Sequence, residues 1–448
     1  MKRILILGAG LVTGPMVSYL LERGYHVTVA SRTAAKAEKL VGSHPNGTAL
    51  AYNIAKDTDG RQLAELVTHT DLAVSMLPYV HHVTLAKECI RQRKPMVTTS
   101  YVSPAMRELD APAREAGIII LNEVGLDPGI DHMSAMKVIH GVQAAGGHVD
   151  GFMSYCGGLP APDANDNPLG YKFSWSPRGV LLAARNSAHY LKDGQDITVE
   201  GKNLFKHYWP LDVAGLGQFE AYPNRDSVPY RATYGIDDVG TMYRGTLRNM
   251  GWCDTLDNIA RLGWLDETER STVNLTYADF SRSLLPAGAP NSGKIQADTA
   301  AALGLPLDSK VISDMAWLGL FSAETIEAEG DSISPLDLLT GQMLARMEYA
   351  PGERDLIVLV HHFDASYPDG KQEHLTSTLI AYGEPGGASA MARTVSLPAA
   401  IGVDLILRGE ITVTGVQVPV TPNLYRPILA GLEELGIKCV EKSEPKLA

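Results

Sequence analysis

The chain has 448 residues, of which 45% are hydrophobic and 20% are charged, and it carries a formal net charge of −12 at pH 7. These values are typical of a globular protein with about two or three domains. It has no Lys/Arg block and no apolar run near the ~18 residues of a membrane span, so we expect no nucleic-acid partner and no membrane partner. Four scattered cysteines without a CxxC pair, and a strand at the very start, favour a cytoplasmic protein without a targeting peptide or a bound metal.

The first predicted element is a buried strand over residues 4–7, which leads directly into a glycine-rich turn and a helix-periodic stretch. A strand, a glycine turn and a helix N-terminus in this order are typical of a site for a dinucleotide pyrophosphate. We expect Gly8 to permit the tight turn, Gly10 to let the phosphates approach, and Gly14 to let the helix pack closely on the strand. The spacing is GxGxxxG, with Thr13 at the usual third-glycine position. The predicted cofactor residues of this turn are Gly8, Gly10, Leu11, Val12, Thr13 and Gly14.

The second strand, over residues 25–30, ends in Ser31-Arg32-Thr33. NAD enzymes usually carry an acidic residue here, which accepts a hydrogen bond from the ribose 2′-OH. This chain has no carboxylate at that point and offers an arginine with flanking hydroxyls, which favours a 2′-phosphate and therefore NADP over NAD. The alternative is that Arg32 is a solvated residue at a strand end.

Strands and helices alternate through residue 122, with strands expected at 48–51, 71–76, 96–100 and 118–122 and helices at 61–69, 83–91 and 104–116. This alternation predicts an α/β fold with a doubly wound parallel sheet, in which ligands bind at the carboxyl ends of the strands. The next cofactor candidates are therefore the residues that follow the strands, namely Asn53, Ile54, Leu77, Thr99, Ser100, Leu126, Asp127 and Pro128.

Beyond residue 131 the pattern becomes that of an α+β region. A helix is expected at 133–141, with Asp131 as its N-cap. A mostly helical stretch covers about 244–347, and closing helices are expected at 391–407 and 424–435, the last with an apolar stripe that needs a partner. Strand patterns occur at 150–155, 196–200, 230–234, 356–360 and 375–380, with the last two predicted to form a hairpin.

Several residues outside the glycine turn are candidate substrate contacts. Asp127, in a rigid Gly/Pro loop, offers a carboxylate for a substrate ammonium, and the hydroxyls of Ser100 and Tyr101 suit substrate carboxylates. A polar strand end wetted by solvent is an equally good interpretation of these hydroxyls. Asp127 and Tyr101 follow adjacent strands, so we predict that they face one cleft and are the acid–base candidates.

The second half of the chain adds arginines, an indole and a thiol. Arg225 lies in a Pro-Asn turn, and Arg244 lies shortly after it with Arg248; such arginines can clamp carboxylates, with surface solvation as the alternative. Trp175 is placed to flank a nicotinamide. A lone cysteine such as Cys156 is more often a small buried hydrophobe than a nucleophile.

Segments spread over nearly the whole chain resemble the family of saccharopine reductases, the glutamate-forming saccharopine dehydrogenases. The resemblance rests on the glycine turn and on residues 30–33, 100–101, 125–129, 154–162, 173–177 and 243–248. It implies a Rossmann-type NADP domain of residues 1–130 plus 392–448, a substrate domain of residues 131–391 with a mixed sheet, and a mainly helical insertion at about 250–348. It also implies NADP-linked, imine-mediated conversion of saccharopine and water to glutamate and 2-aminoadipate 6-semialdehyde in lysine metabolism. Small-molecule substrates are the implied partners, and a homodimer is left open.

Together with the interpretation of the residues above, the resemblance assigns Asp127 and Tyr101 as catalytic residues and adds Trp175 to the cofactor residues. The assigned substrate residues are Ser100, Tyr101, Asp127, Cys156, Arg225, Arg244, Gly245 and Thr246. One departure is Asn53, where the family pattern leads us to expect an aspartate, which puts the strength of the adenine contact in question.

Two other functions stay open at this point. One is a related reductase of carboxylated polyamine imines, or an opine-type dehydrogenase, which would keep the nucleotide domain and the imine chemistry. The other is a non-catalytic NADP-binding sensor, against which the arginine clusters argue.

Overall fold

The computed structural model describes residues 1–183, 185–327 and 330–446. The strands in chain order are β1 (Arg3–Leu7), β2 (His26–Ser31), β3 (Gly47–Ala51), β4 (Leu72–Ser75), β5 (Met96–Thr98), β6 (Ile119–Leu121), β7 (His148–Pro160), β8 (Ala188–Lys192), β9 (Gln195–Val199), β10 (Trp209–Val213), β11 (Gly217–Pro223), β12 (Thr241–Arg248), β13 (Arg270–Ser271), β14 (Ser332–Ile333), β15 (Asp355–Ser366), β16 (Gln372–Tyr382), β17 (Gly415–Gln417) and β18 (Val440–Pro445).

The α-helices connect these strands. In chain order they are α1 (Gly14–Glu22), α2 (Ala34–Val41), α3 (Arg61–Thr68), α4 (His82–Gln92), α5 (Pro104–Arg107), α6 (Asp110–Ala116), α7 (Ile130–Ala144), α8 (Pro177–Ala183), α9 (Tyr230–Tyr234), α10 (Trp252–Arg261), α11 (Tyr277–Leu284), α12 (Ile295–Leu303), α13 (Lys310–Trp317), α14 (Pro335–Arg346), α15 (Ala390–Leu407) and α16 (Pro422–Glu434).

The chain forms two compact units. Unit 1 comprises Met1–Val149 and Asp364–Ala448, and unit 2 comprises Asp150–Phe363. The boundaries that the sequence assigns to the two functional domains, near residues 130 and 391, lie elsewhere in the chain and stay a prediction.

Unit 1 is built on a parallel sheet with the strand order β17-β6-β5-β4-β1-β2-β3. The order runs outward in both directions from the pair β1 and β4, so the prediction of a doubly wound parallel sheet is confirmed. The switch point beside the carboxyl end of β1 is the position where such sheets bind nucleotides. The apolar residues of β1, Ile4 through Leu7, are at most 2% exposed, as expected for a central strand covered on both faces.

The C-terminal segment contributes to unit 1. Strand β17 pairs in parallel with β6 and extends the sheet at its edge. On α15, the buried Asp404 accepts a hydrogen bond from the Tyr25 hydroxyl at 2.7 Å, just before β2. By length and composition α15 is apolar enough to cross a membrane, which corrects the expectation that no apolar run approaches that length; 78% of its 18-residue window is buried inside the protein.

Unit 2 contains a mixed sheet, as the resemblance implies. Its strands follow the order β10-β11-β12-β7-β15, and the β8–β9 pair is attached to β12. Strand β12 is parallel to β7 and antiparallel to β11. Helices α10 to α14, with the small β13–β14 pair, follow this sheet in the part of the chain where a mostly helical stretch is predicted.

Two predicted elements are wrong in detail. The alternating residues 230–234, expected as a strand, form helix α9, which ends at Gly235 with a φ of 66°. Tyr230 and Tyr234 alternate as in a strand, but as an i, i+4 pair they lie next to each other along the helix, with ring centroids 5.7 Å apart and the rings tilted by 44°. The single helix expected over 104–116 is broken into α5 and α6.

Candidate functional site

The glycine turn after β1 has the geometry of a pyrophosphate cradle. Gly8 has a φ of 113°, and a Cβ there would lie 2.5 Å from the carbonyl oxygen of Met76, so only glycine fits. At Gly10, no atom of the described residues lies within 4 Å of an added Cβ, so the backbone faces open space. A Cβ on Gly14 would make an ordinary 3.7 Å contact with Leu40 on α2. The expectation that Gly14 is needed for close helix–strand packing is therefore wrong.

Thr13 replaces the usual third glycine and closes the turn. Its side chain is fully buried, and its Oγ1 accepts a hydrogen bond from the Gly10 amide at 3.2 Å. Helix α1 begins at the next residue, so its free N–H groups and its positive dipole end lie at the turn. Leu11 is 71% exposed and Val12 lies between Leu11 and the buried Thr13. The open backbone at Gly10 and the helix N-terminus fit the pyrophosphate of a dinucleotide.

The end of β2 presents positive charge and hydroxyls. Arg32 and Thr33 are exposed, Ser31 is partly buried, and the Thr33 amide donates to the Ser31 hydroxyl at 3.4 Å. Among the described residues, no carboxylate forms an ion pair with Arg32. An exposed guanidinium with two neighbouring hydroxyls fits a phosphate monoester such as the NADP 2′-phosphate.

The candidates after β3 and β4 are partly committed to local structure. The Asn53 side-chain oxygen accepts from the Ala55 amide at 3.1 Å, which stabilises the turn after β3. Ile54 and Leu77 are half-buried and pack against the hydrophobic core of unit 1. These two side chains therefore offer an apolar surface at the carboxyl edge of the sheet.

The structure brings Tyr101 and Asp127 together. The Tyr101 hydroxyl donates to the Asp127 carboxylate at 2.9 Å, and both residues are partly buried. Thr99 lies against the same loop, because a Cβ on Gly125 would be 3.1 Å from the Thr99 Cβ. The juxtaposition expected from adjacent parallel strands is present, while the catalytic roles stay a prediction.

The loop that carries Asp127 is tightly closed on itself. The Gly125 amide donates to the carbonyl of Pro128 at 2.9 Å, and a Cβ on Gly129 would lie 2.1 Å from the Gly125 carbonyl oxygen. The flanking Leu126 and Pro128 are buried, and the Asp127–Pro128 peptide is cis. The loop therefore presents the Asp127 side chain from a fixed backbone.

Asp131 does not cap α7 as predicted. Gly129 is the N-cap, and Asp131 is the second helical residue, whose carboxylate accepts a hydrogen bond from the Gly129 amide. The glycine takes the cap position because its φ of 147° is disfavoured for other residues. The role of Asp131 is structural all the same.

Two buried histidines support this edge of the sheet, and sequence reasoning missed both roles. His132 Nε2 lies 2.8 Å from Glu123, whose other carboxylate oxygen accepts from the Val102 amide at 2.8 Å. His82 lies 2.7 Å from the Ser75 hydroxyl and 2.8 Å from the Ser100 hydroxyl. Burial, with His81 as a smaller cause, lowers the pKa of His82 to about 4. The only sequence signal was the His81-His82 pair, which says nothing about serines brought near by folding.

In unit 2, the predicted substrate residues of β7 and β12 lie side by side. Thr246 is the register partner of Cys156, and both are partly exposed. Gly245 is required, because a Cβ there would lie 2.6 Å from the Tyr243 ring. Arg244 is buried with its guanidinium 4.4 Å from the centroid of the Tyr230 ring.

Arg225 and Trp175 are placed differently. Arg225 is exposed, has a φ of 58°, and its turn lies next to Arg244, because the Asn224 amide donates to the Arg244 carbonyl at 2.9 Å. Trp175 is partly buried at the start of the segment that leads into α8. The turn that carries Arg225 therefore lies next to the backbone of Arg244 in unit 2.

Arg248 was named with its neighbouring arginines but not assigned to the site. It is 6% exposed, its Nε has no hydrogen-bond partner among the described residues, and Nη1 donates to the Leu247 carbonyl at 2.8 Å. The guanidinium lies 4.8 Å from the Tyr171 ring and 5.5 Å from the Trp252 ring. Glu220 lies opposite Arg248 in the pairing of β11 with β12, but its carboxylate makes its hydrogen bonds elsewhere.

The carboxylate of Glu220 instead accepts from the Gly251 and Cys253 amides, each at 2.7 Å, at the start of α10. Within the described residues no carboxylate pairs with Arg248. A buried guanidinium without an acid is costly unless an anion joins it, so Arg248 is a candidate carboxylate anchor. The signal in the sequence was the second arginine of the 243–248 segment.

Comparison with known proteins places this geometry in a family. Residues 4–121 match the model of the saccharopine dehydrogenase NADP binding domain, and residues 125–437 match that of the saccharopine dehydrogenase C-terminal domain. The chain is 41% identical to "Saccharopine dehydrogenase (NADP(+), L-glutamate-forming)" of Pyricularia oryzae, with 98% of this chain and 99% of that protein aligned. It is 40% identical to the protein of the same name from Saccharomyces cerevisiae, with 99% of each aligned.

A solved structure agrees over the whole length. The apo saccharopine dehydrogenase (L-Glu forming) from Saccharomyces cerevisiae superposes with a TM-score of 0.89 at 38% identity, covering 99% of this chain and 100% of that one. The mitochondrial alpha-aminoadipic semialdehyde synthase of Bos taurus is 37% identical over all of this chain and 48% of that protein. The chain belongs to the saccharopine dehydrogenase family.

Proposed function

We propose that this protein is an NADP-dependent, L-glutamate-forming saccharopine dehydrogenase of lysine metabolism. It interconverts saccharopine, NADP and water with L-glutamate, 2-aminoadipate 6-semialdehyde and NADPH. The observation that carries the proposal is the 40–41% identity to two enzymes of that name over essentially the full length of both partners. The glycine turn and the positively charged end of β2 support NADP independently of those names.

The cofactor residues of the proposal are those of the turn and of the strand ends of unit 1. When bound, NADP accepts a hydride and NADPH supplies one. The Gly8–Gly14 turn binds the pyrophosphate through backbone N–H groups, and Arg32 with Ser31 and Thr33 binds the 2′-phosphate. Trp175 is assigned to the nicotinamide.

The substrate chemistry matches the charged residues. Saccharopine carries three carboxylates, one primary ammonium and one secondary amine, so it needs several cationic groups and at least one anionic group. We assign carboxylates to Arg225, Arg244 and Arg248, and we assign an amine to Asp127. In the reductive direction, the glutamate amine adds to the aldehyde, water leaves, and the resulting imine is reduced.

Proton transfer in this proposal needs only modest help from the protein. An imine accepts a hydride more readily when its nitrogen is protonated, and that nitrogen is itself basic. Asp127 holds the reacting amine, and Tyr101, bonded to Asp127 at 2.9 Å, binds a carboxylate or relays a proton. General acid–base groups typically contribute ~10²–10⁴-fold, and a self-basic substrate points to the low end.

We also propose finer points of domain organisation and location. The nucleotide domain comprises residues 1–130 and 392–448, and the protein works in the cytoplasm, while a homodimer stays open. The support for the cytoplasm is that, in the described part of the chain, no disulfide joins Cys89, Cys156, Cys253 and Cys439.

The alternatives make a direct test possible. A reductase of carboxylated polyamine imines would oxidise NADPH with a diamine in place of glutamate, and an opine-type enzyme would accept a 2-oxo acid. We expect NADPH oxidation with glutamate plus 2-aminoadipate 6-semialdehyde, and at least ~10²-fold lower kcat/KM with either replacement, because each leaves a charged partner unpaired. Tight NADPH binding without turnover on any of these substrates would favour the sensor instead.

A further inference from the structure

A chain of three polar side chains runs beneath the candidate site of unit 1. Ser75 closes β4 and is fully buried, His82 opens α4 and is 4% exposed, and Ser100 follows β5 and is partly exposed. The imidazole bridges the two hydroxyls, with Nδ1 at 2.7 Å from Ser75 Oγ and Nε2 at 2.8 Å from Ser100 Oγ. Of these three residues, Ser100 at the outer end is the most exposed, and it follows β5 at the edge of the sheet where parallel sheets of this kind bind ligands.

The inner end of the chain sets the proton positions. In the described part of the protein, His82 Nδ1 is the one hydrogen-bond partner of the Ser75 hydroxyl. A buried hydroxyl with a single partner that can accept is best satisfied when it donates, since an unused donor costs more than an unused lone pair. Nδ1 is then unprotonated, Nε2 carries the hydrogen, and Nε2–H donates to Ser100 Oγ.

The outer end then has a defined polarity. Because Ser100 Oγ accepts from His82, its own O–H points elsewhere and is available to an acceptor outside the protein. We propose that His82 is a positioning residue that holds Ser100 as a hydrogen-bond donor toward a carboxylate of the bound substrate. The proposal rests on the proposed function for the identity of that carboxylate, but the tautomer does not depend on it.

Burial keeps the arrangement constant near neutral pH. The lowered pKa of His82, about 4, leaves the imidazole neutral there, so it can accept from one serine and donate to the other. The backbone of Ser100 is held separately: its carbonyl accepts from the Glu123 amide at 3.1 Å, and its amide donates to Thr98 Oγ1 at 3.4 Å. Loss of His82 should therefore change the direction of the Ser100 hydroxyl more than the position of the strand end.

A double-mutant cycle tests the link to substrate binding. His82→Leu and Ser100→Ala should each raise the KM for saccharopine roughly tenfold, as expected for losing one donor to a charged acceptor. The double variant should show no further rise, because His82 acts through Ser100. His82→Gln, which can place an amide N–H near the Nε2 position, should restore most of the affinity, and the neighbouring His81→Leu is the matched control. The Kd for NADPH should stay unchanged in His82→Leu and in the His81→Leu control, because the backbone of Ser100 is held separately from His82.

Two results would overturn the inference. One is a tenfold KM effect of His82→Leu that persists when Ser100 is already alanine, or that falls on NADPH instead of saccharopine. The other comes from nitrogen NMR of the apo protein labelled at histidine, with His82→Gln for assignment. We expect the Nε2–H tautomer of His82. An Nδ1–H tautomer contradicts the proposed Ser75–His82–Ser100 hydrogen-bond chain, and this result does not require that the His82→Leu protein folds. If the wild-type protein is inactive on saccharopine, the proposed function fails. The NMR result still shows whether the Ser75–His82–Ser100 hydrogen-bond chain has the proposed direction.

Discussion

Arg32 is the residue on which nucleotide choice depends most directly. It is exposed, it follows β2, and among the described residues it has no acidic partner that would compete with a phosphate. The double substitution Ser31→Asp with Arg32→Ala should lower kcat/KM for NADP by ~10- to 100-fold, since a charge-assisted hydrogen bond is worth ~1.5–3 kcal/mol. It should also favour NAD, and steady-state assays with both nucleotides check this.

The control for this change is Arg61→Ala. Arg61 is an exposed arginine of the same unit, paired with Asp59 at 3.2 Å. Its loss should leave the NADP/NAD ratio unchanged. A wild-type protein that already prefers NAD contradicts our interpretation of the β2 end.

Asp127 and Tyr101 form the second residue-scale prediction. The separate substitutions Asp127→Ala and Tyr101→Phe should lower kcat/KM for saccharopine by ~10²-fold without abolishing turnover, because the substrate nitrogen can take its proton from water. Rates measured across pH check both the size and the profile. If neither kcat/KM nor its pH profile changes, these residues are scaffold.

The Tyr101–Asp127 contact could be predicted from sequence, and the His82–Ser100 contact could not. Tyr101 and Asp127 both follow neighbouring parallel strands, so their meeting follows from strand order alone. The bond between His82 and Ser100 depends on how α4 sits after β4, and a histidine next to another histidine carries no signal of that geometry.

At the scale of elements, substitutions of the three glycines of the turn should affect Tm and NADPH binding differently. Gly8→Ala should lower Tm and weaken NADPH binding, because its Cβ would lie 2.5 Å from a backbone oxygen. Gly10→Ala should leave Tm unchanged and weaken NADPH binding, since its Cβ enters the open space assigned to the pyrophosphate. Gly14→Ala is the matched control and should change neither quantity by much, because its Cβ makes an ordinary 3.7 Å contact. Thermal melts and NADPH titrations of the three proteins test this order.

Replacing Arg248, at the buried end of β12, should weaken substrate binding without destabilising the apo protein. Arg248→Met should raise the KM for saccharopine by ~10-fold or more, because it removes a carboxylate anchor. It should leave the apo protein as stable as the wild type or more stable, since an apolar residue replaces an unpaired buried charge. Kinetics and denaturant unfolding of the apo protein check the two parts.

Arg178→Met supplies the control for that substitution. Arg178 is a half-exposed arginine in unit 2, paired with Asp337 at 2.8 Å and Glu267 at 3.0 Å. Its loss should not change the KM. A destabilised Arg248→Met protein with normal KM would make Arg248 a structural residue.

Helix α9 shows where element prediction from periodicity stops. Tyr230, Ala232 and Tyr234 alternate as in a strand, and five residues are too few to separate a period of two from a helical period. The central strands of the parallel sheet in unit 1 are predicted well because of their apolar runs and, for β1, the glycines that follow it. The small helices depend on neighbours that the pattern does not contain.

For the whole molecule, acid should weaken the fold through His82. Its pKa is about 4 in the folded protein and ~6.5 when unfolded, so the unfolded chain binds the proton more readily between these values. Above pH 6.5 His82 is neutral in both states and does not reduce the free energy of unfolding. As the pH falls from 6.5 toward 4, proton binding to the unfolded chain lowers that free energy. Between pH 7 and pH 5 the wild type should lose about 2 kcal/mol more unfolding free energy than His82→Gln.

Denaturant titrations of both proteins at the two pH values test this difference. The test compares the loss of unfolding free energy between pH 7 and pH 5 in the two proteins, because contributions from all other groups are common to both. Equal losses in the two proteins would place the His82 pKa near its ordinary value.

The whole-molecule architecture is predictable in its first half and only partly in its second. The parallel sheet of unit 1 follows from strands and helices that alternate at regular spacing. That the last strand of this sheet, β17, comes from residues 415–417 is a tertiary fact, and three residues carry too weak a pattern to reveal it. The mixed sheet of unit 2 was expected from the family resemblance, because its order cannot be read from local periodicity.

The most direct test of the proposed function is saccharopine-dependent reduction of NADP with identification of both products. We predict that the purified protein forms NADPH, L-glutamate and 2-aminoadipate 6-semialdehyde in equal amounts, with kcat/KM at least ~10-fold higher for NADP than for NAD. Formation of lysine and 2-oxoglutarate from saccharopine, or absence of NADPH formation by a folded protein that binds NADP, would contradict it.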